Sequence, residues 1–129
     1  MKLDVNDMCF ACGRANPIGL KLEFRFEGED YVTEFEVKPE HQGWTGIVHG
    51  GLLATVLDEV MARLLWEKGL NAITGRLTVR YHQPISVGER LQVRGRITKH
   101  HPPAVETTAE AVKGDGTVAA EAVAVSMEV

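Results

Sequence analysis

One stretch limits the folds open to this chain more than any other. Leu52, Leu53, Val56, Leu57, Val60, Met61, Leu64 and Leu65 recur at three- and four-residue spacing, which lays a single apolar stripe along a helix. The pattern stops near Lys68-Gly69, a cation in the last turn followed by a C′ glycine. At roughly 1.5 Å per residue the predicted helix is about 28 Å long.

The rest of the chain alternates with a period of two. Leu20, Leu22, Phe24 and Phe26 alternate with Lys21, Glu23 and Arg25, the pattern of a half-buried strand. A turn at Gly28-Glu29-Asp30 leads to a second strand over Tyr31–Val37, with Tyr31, Thr33, Phe35 and Val37 on one face. Residues 38–48 carry Pro39, Gly43 and Gly46 and have no period, so they read as a loop. After the helix, Ile73, Gly75, Leu77, Val79 and Tyr81 alternate with Thr74, Arg76, Thr78, Arg80 and His82. A break over residues 84–88 precedes Leu91, Val93 and Ile97. His101-Pro102-Pro103 breaks the run again before a strand from Val105 to Val112. Gly114-Asp115-Gly116 is a hairpin turn, and Val118 to Glu128 is the last strand. The order is two strands, one helix, then four strands. A lone helix in an antiparallel β chain buries its stripe when the strands curl around it. One sheet edge and the other side of the helix are then left exposed, and a symmetric dimer would cover both.

The chain has 129 residues, enough for one domain (1–129) with a core of its own. Hydrophobic residues at 44% and charged residues at 25% give the balance of a globular domain. A net charge of −4 argues against a nucleic-acid partner. No apolar run is long enough for a signal h-region or a membrane span, so the expected location is the cytoplasm, without membrane association. There a Cys9-Phe10-Ala11-Cys12 pair is more often thiol, redox or metal-related than a structural disulfide. It offers only two ligands where structural zinc usually needs four, so the expectation is a tight turn and no metal.

The chemistry concentrates in Gly46-Ile47-Val48-His49-Gly50-Gly51-Leu52, running into Asp58-Glu59. Paired glycines weaken a helix start but let a ligand lie against the backbone, a use that fits Gly50 and Gly51. The first N–H groups of a helix lack internal partners and sit at the positive end of its dipole, so they can hold developing negative charge. Asp58 lies in the helix row Ala54, Asp58, Ala62, small on both flanking turns, at the border of the apolar stripe. Gly50 and Asp58 are separated by about 12 Å of helix axis, too far to act on one carbon from the same helix. That spacing favours a site shared between two chains.

His49-Gly50-Gly51 with Asp58 nine residues after the histidine resembles the hotdog-fold acyl-CoA thioesterases, in particular the PaaI-like group. The resemblance covers nearly the whole chain, and Cys9–Gly13 and Asn16–Leu20 look like a subset of those proteins. It implies an α+β hotdog fold, an antiparallel sheet wrapped around one long helix. It also implies hydrolysis of an acyl-CoA to free acid and coenzyme A, with no cofactor beyond the substrate's own CoA. By the family pattern the Gly50 N–H would polarise the thioester carbonyl, and Asp58 from a partner subunit would act as nucleophile or general base. Thr74, at the position of a water-positioning hydroxyl, completes the set. The implied assembly is a homodimer or homotetramer with sites at the dimer interface. Many relatives carry Asn or Gln six residues before the histidine; this chain has Gly43 there, with Gln42 adjacent as a possible substitute.

His49 has two readings, a helix-start histidine bonded to backbone or a direct participant in catalysis. Glu59 points about 100° away from Asp58 and can pair with Arg63 at i+4. Between residues 76 and 99, Arg76, Arg80, Arg90, Arg94, Arg96 and Lys99 face a single acid, Glu89. That bias suits the phosphates of CoA, with Arg76 and Arg80 foremost, or is simply the polar face of two strands. Two rival functions stay open: a non-catalytic acyl-CoA-binding module, and a hotdog-type enoyl-CoA hydratase or dehydratase.

Overall fold

The computed structural model describes residues 1–129. Strands β1 (Phe24–Glu27) and β2 (Asp30–Glu36) precede helix α1 (Gly50–Glu67), and β3 (Ala72–Tyr81), β4 (Arg90–His101), β5 (Ala104–Val112) and β6 (Val118–Glu128) follow it. All strand pairs are antiparallel and form one six-stranded sheet in the order β1-β2-β4-β5-β6-β3. Both the element order and the wrapped-helix architecture match the expectation from periodicity.

Helix α1 packs on the inner face of strands β2 to β6 through its apolar stripe, with Leu53, Val56, Leu57, Val60, Met61, Leu64 and Leu65 all buried. Bulk on the helix meets small residues on the sheet. The inner faces of β5 and β6 carry Thr107, Ala109, Ala111, Ala122, Ala124 and Ser126, so a wide helix can lie close to them. Gly95 on β4 serves the same end, since a Cβ there would stand 3.3 Å from Val60 Cγ1. Helix α1 ends as the sequence requires, with Lys68 at the C-cap and Gly69 at φ 78°.

The first strand is shorter than its alternation suggests. Lys21 adopts φ 53°, and the Leu20 and Leu22 amides donate to Phe10 and Ala11 carbonyls instead of to β2. Side-chain alternation survives this break because Leu22 is buried by the N-terminal segment folding over α1. Ladder pairing therefore begins only at Phe24, opposite Thr33.

A second departure matters more for function. Simple alternation in β3 sets Thr74 on the opposite face from Leu77 and Val79. The ladder between β3 and β6 instead pairs Thr74 with Ser126 and Arg76 with Val125, leaving Gly75 as an extra residue. This bulge reverses the parity, so Thr74, Leu77 and Val79 all point toward α1. A glycine suits the extra position, where close backbone approach and local twist are needed.

Candidate active site

The loop before α1 is held by its own polar groups. Gln42 uses both ends of its carboxamide there: Nε2 donates to the Pro39 carbonyl at 2.7 Å, and Oε1 accepts from the Gly46 amide at 2.6 Å. The His49 amide donates to the His41 carbonyl at 2.8 Å, and the Val48 amide to the Ile85 carbonyl at 2.8 Å. These bonds fix where the helix starts.

His49 is the N-cap of α1, with extended backbone, and its Nδ1 accepts from the Gly51 amide at 3.0 Å. Its own carbonyl takes the Leu52 and Leu53 amides, each at 3.1 Å. The Gly50 N–H is the one amide of this first turn with no partner in the chain. Each neighbouring glycine has a distinct steric reason. A Cβ on Gly51 would stand 3.0 Å from His49 Cε1, against the capping ring. A Cβ on Gly43 would stand 3.0 Å from His49 Cα, so the position where relatives carry Asn or Gln here lies flat against the histidine.

A little over two turns along α1 from Gly50, Asp58 is half-buried and has no cation beside it. Thr74 Oγ1 donates to its Oδ1 at 2.9 Å. Burial raises the Asp58 pKa, and the Thr74 hydrogen bond works against that rise. The bulge at Gly75 is what brings this hydroxyl to the carboxylate. The result is a poorly hydrated carboxylate held in one orientation, suited to attack a carbonyl or to take a proton from water.

Tyr81 is a contact that sequence reasoning passed over. Its hydroxyl donates to the Gly50 carbonyl at 2.6 Å, and its ring lies 3.5 Å from where a Gly50 Cβ would stand, ordinary van der Waals contact. Strand β3 thus touches both halves of the site, Asp58 through Thr74 and the helix start through Tyr81. The available signal was parity, since Tyr81 shares a face with Leu77 and Val79.

The basic run divides once its partners are seen. Arg90 pairs with Glu36, Arg94 with Glu27 and Asp30, and Arg96 with Asp30. Arg76, Arg80 and Lys99 have no ion-pair partner. Arg76 and Arg80 project from the outer face of β3, opposite Asp58 within one chain, and Arg80 lines an open groove there of about 560 Å³. Glu59 does not pair with Arg63 as its spacing suggested. Arg63 reaches Glu67 at 3.4 Å and Cys12 Sγ at 3.1 Å, while Glu59 Oε1 faces Cys9 Sγ at 3.7 Å. The i+4 spacing permits either partner, and the N-terminal turn decides between them.

One helix laid across a six-stranded antiparallel sheet, with an unpaired amide at the helix start and a half-buried aspartate on it, is a hotdog-fold arrangement. Residues 45–120 match the Thioesterase superfamily, and the chain belongs to that family. It is 30% identical to mouse (Mus musculus) acyl-coenzyme A thioesterase 13 over 73 residues, 55% of this chain and 52% of that protein. The chain thus spans about half the length of the relatives it matches. Among solved structures, the E. coli PaaI protein of the phenylacetic acid degradation operon superposes with a TM-score of 0.79 at 19% identity, covering 84% of each chain. A hypothetical thioesterase from Streptococcus pneumoniae, solved with coenzyme A, also gives 0.79, at 16% identity, over 84% of this chain and 85% of that one. At these identities the structural likeness speaks to the fold. No helix here is long and apolar enough to cross a membrane.

Proposed function

We propose that this chain, as one domain over residues 1–129 in the cytoplasm, hydrolyses an acyl-CoA thioester to the free acid and CoA. The observation that carries the reading is Asp58: a half-buried carboxylate with no cation, oriented by Thr74, on the helix whose first amide is unpaired. The Gly50 N–H polarises the thioester carbonyl and holds the charge that develops on its oxygen. Asp58 attacks that carbon, or removes a proton from the water that does, and the CoA sulfur leaves. Thr74 positions the carboxylate. His49 acts through the backbone, by capping the helix and keeping Gly51 engaged so that the Gly50 amide is the free one. Gly51 lets the acyl group approach the helix start, and Gln42 shapes the loop beside it. Arg76 and Arg80, free of ion pairs, meet the phosphates of CoA. No metal or separate cofactor takes part.

The S. pneumoniae protein was also solved with an aspartate and a threonine, sixteen positions apart, each replaced by alanine; Asp58 and Thr74 have the same spacing. This supports treating the pair as a unit.

Assembly follows from the same geometry. Gly50 and Asp58 lie about 12 Å apart along one helix, so a single chain offers half of two sites. Strand β3 is a ten-residue edge that touches both halves. An antiparallel β3–β3 pairing centred on Thr78, with Gly75 bulged out of the ladder, sets Thr74 of one protomer opposite Tyr81 of the partner subunit. Asp58 of one protomer then faces the partner's Gly50, in a homodimer or a tetramer of two such pairs.

The test is thiol release from short, long and aryl acyl-CoAs by wild type and Asp58→Asn. A general base or nucleophile should account for roughly 10²- to 10⁴-fold in rate. Turnover unchanged in the variant removes Asp58 from the mechanism. Ligand-induced thermal protection with no thiol released by wild type would replace hydrolysis with binding.

A further inference from the structure

The N-terminal turn holds a cluster that the reaction does not use. Cys9 and Cys12 are both free thiols and partly buried, and the turn between them is closed by the Gly13 amide donating to the Cys9 carbonyl at 2.8 Å. No side chain fits at Gly13, where a Cβ would stand 2.3 Å from the Asp7 carbonyl oxygen. The backbone is therefore tightly folded around the two sulfurs. Onto this turn α1 projects Glu59, fifty residues away in sequence, and one ligand atom from each of Cys9, Cys12 and Glu59 lies within 4.8 Å of the others.

These distances suit a thiophilic cation. Tetrahedral zinc, with Zn–S near 2.3 Å and Zn–O near 2.1 Å, sets neighbouring ligand atoms roughly 3.6–3.8 Å apart. Cys9 Sγ and Glu59 Oε1 already stand at 3.7 Å. The charges also balance: two thiolates and one carboxylate against a divalent cation leave one negative charge, and Arg63 supplies the opposite one from 3.1 Å, at Cys12 Sγ. Arg63 is itself fixed by Glu67 and by the face of Phe24, 5.7 Å from its ring centre. A donor held against a ligating sulfur in this way orients it and tempers its charge.

We infer that Cys9, Cys12 and Glu59 form a binding site for a divalent, thiophilic cation of the zinc class, with solvent in the fourth position. The two thiol protons leave to solvent as the metal–sulfur bonds form. Such an ion ties the N-terminal turn to α1 at the residue next to Asp58, so its effect is on the rigidity of the helix and not on the reacting atoms. The sequence alone supplied two ligands; the third exists only after folding.

The experiment uses the full chain kept reduced, freed of metal by a chelator and titrated with Co²⁺ and then Zn²⁺. The expected result is about one ion per chain, a thiolate-to-cobalt absorption band that zinc abolishes, and a higher melting temperature with zinc than without. Glu59→Gln should weaken cobalt binding at least tenfold while keeping the band. The double variant Cys9→Ser, Cys12→Ser should lose the band and the zinc-dependent melting shift. A folded wild-type chain that takes up cobalt without the band, or takes up none, overturns the assignment. So does a folded double variant that binds as wild type does.

Discussion

Asp58 sits half-buried with one hydroxyl donor and no cation, so ionising it is harder in the folded chain than in the unfolded one. Its folded pKa lies above its unfolded value. Between the two values the native state binds more protons, and stability falls as pH rises through that window and stays lower above it. Asp58→Asn removes this charge penalty at constant size. The variant should therefore melt higher than wild type at pH 7, by roughly 2 °C, the response of a domain this size to about half a kcal/mol. The gain should shrink as pH falls through the raised Asp58 pKa, where the wild-type carboxylate also becomes protonated. Calorimetry of both proteins across that range checks it, and a lower melting point for the variant at pH 7 contradicts the burial argument. Thr74 opposes the same shift. Thr74→Val should raise the Asp58 pKa further and move the acid limb of kcat/KM to higher pH, whereas Thr74→Ser should leave the limb in place. A full pH–rate profile of each variant separates this from loss of packing, which would lower the rate equally at every pH.

At the scale of elements, the start of α1 decides what His49 does. As an N-cap it satisfies the Gly51 amide, and its loss to alanine should cost about 1 kcal/mol of stability. Asparagine caps helices at least as well as most residues. His49→Asn should therefore recover both the melting temperature and most of the turnover that His49→Ala loses. Recovery of the melting temperature without turnover would assign the imidazole a direct part in the reaction. The strands and the helix were legible because their hydrophobic periods are long and clean, and the turn at Gly114-Asp115-Gly116 marked its hairpin directly. What period alone could not give were single-residue irregularities. Lys21 at φ 53° ends the alternation of Leu20 and Leu22 as a ladder, and Gly75 shifts Thr74 to the other face. Neither leaves a pattern, because a bulge is one residue wide and its cause lies in the partner strand. Thr74 was named from resemblance; the bulge supplies the physical route by which it reaches Asp58.

Across the whole molecule, contacts between distant segments were the least legible in sequence. The i+4 rule paired Glu59 with Arg63, but the N-terminal turn captures both side chains separately, through Cys9 and Cys12. The spacing of Gly50 and Asp58, by contrast, pointed beyond one chain from the outset, and the edge position of β3 gives that spacing a means of assembly. This can be tested by deleting each half of the site in different chains. Gly50→Pro removes the free N–H at the first helical position, where proline is well tolerated, and His49 already has the extended backbone that a following proline requires. Alone it should lower kcat by about 10²- to 10³-fold, the usual effect of losing one donor to a developing oxyanion. Asp58→Asn should be as impaired alone. When the two variants are unfolded together in equal amounts and refolded, half of the dimers should be mixed. Each mixed dimer holds one site with both its Gly50 N–H and its Asp58 intact and one with neither, so activity should return to about a quarter of wild type. A mixture no more active than its components, in dimers shown by mass to have exchanged subunits, would mean that each site is built within one chain. The helix would then have to bend or the substrate to span it, and the shared-site mechanism would be wrong.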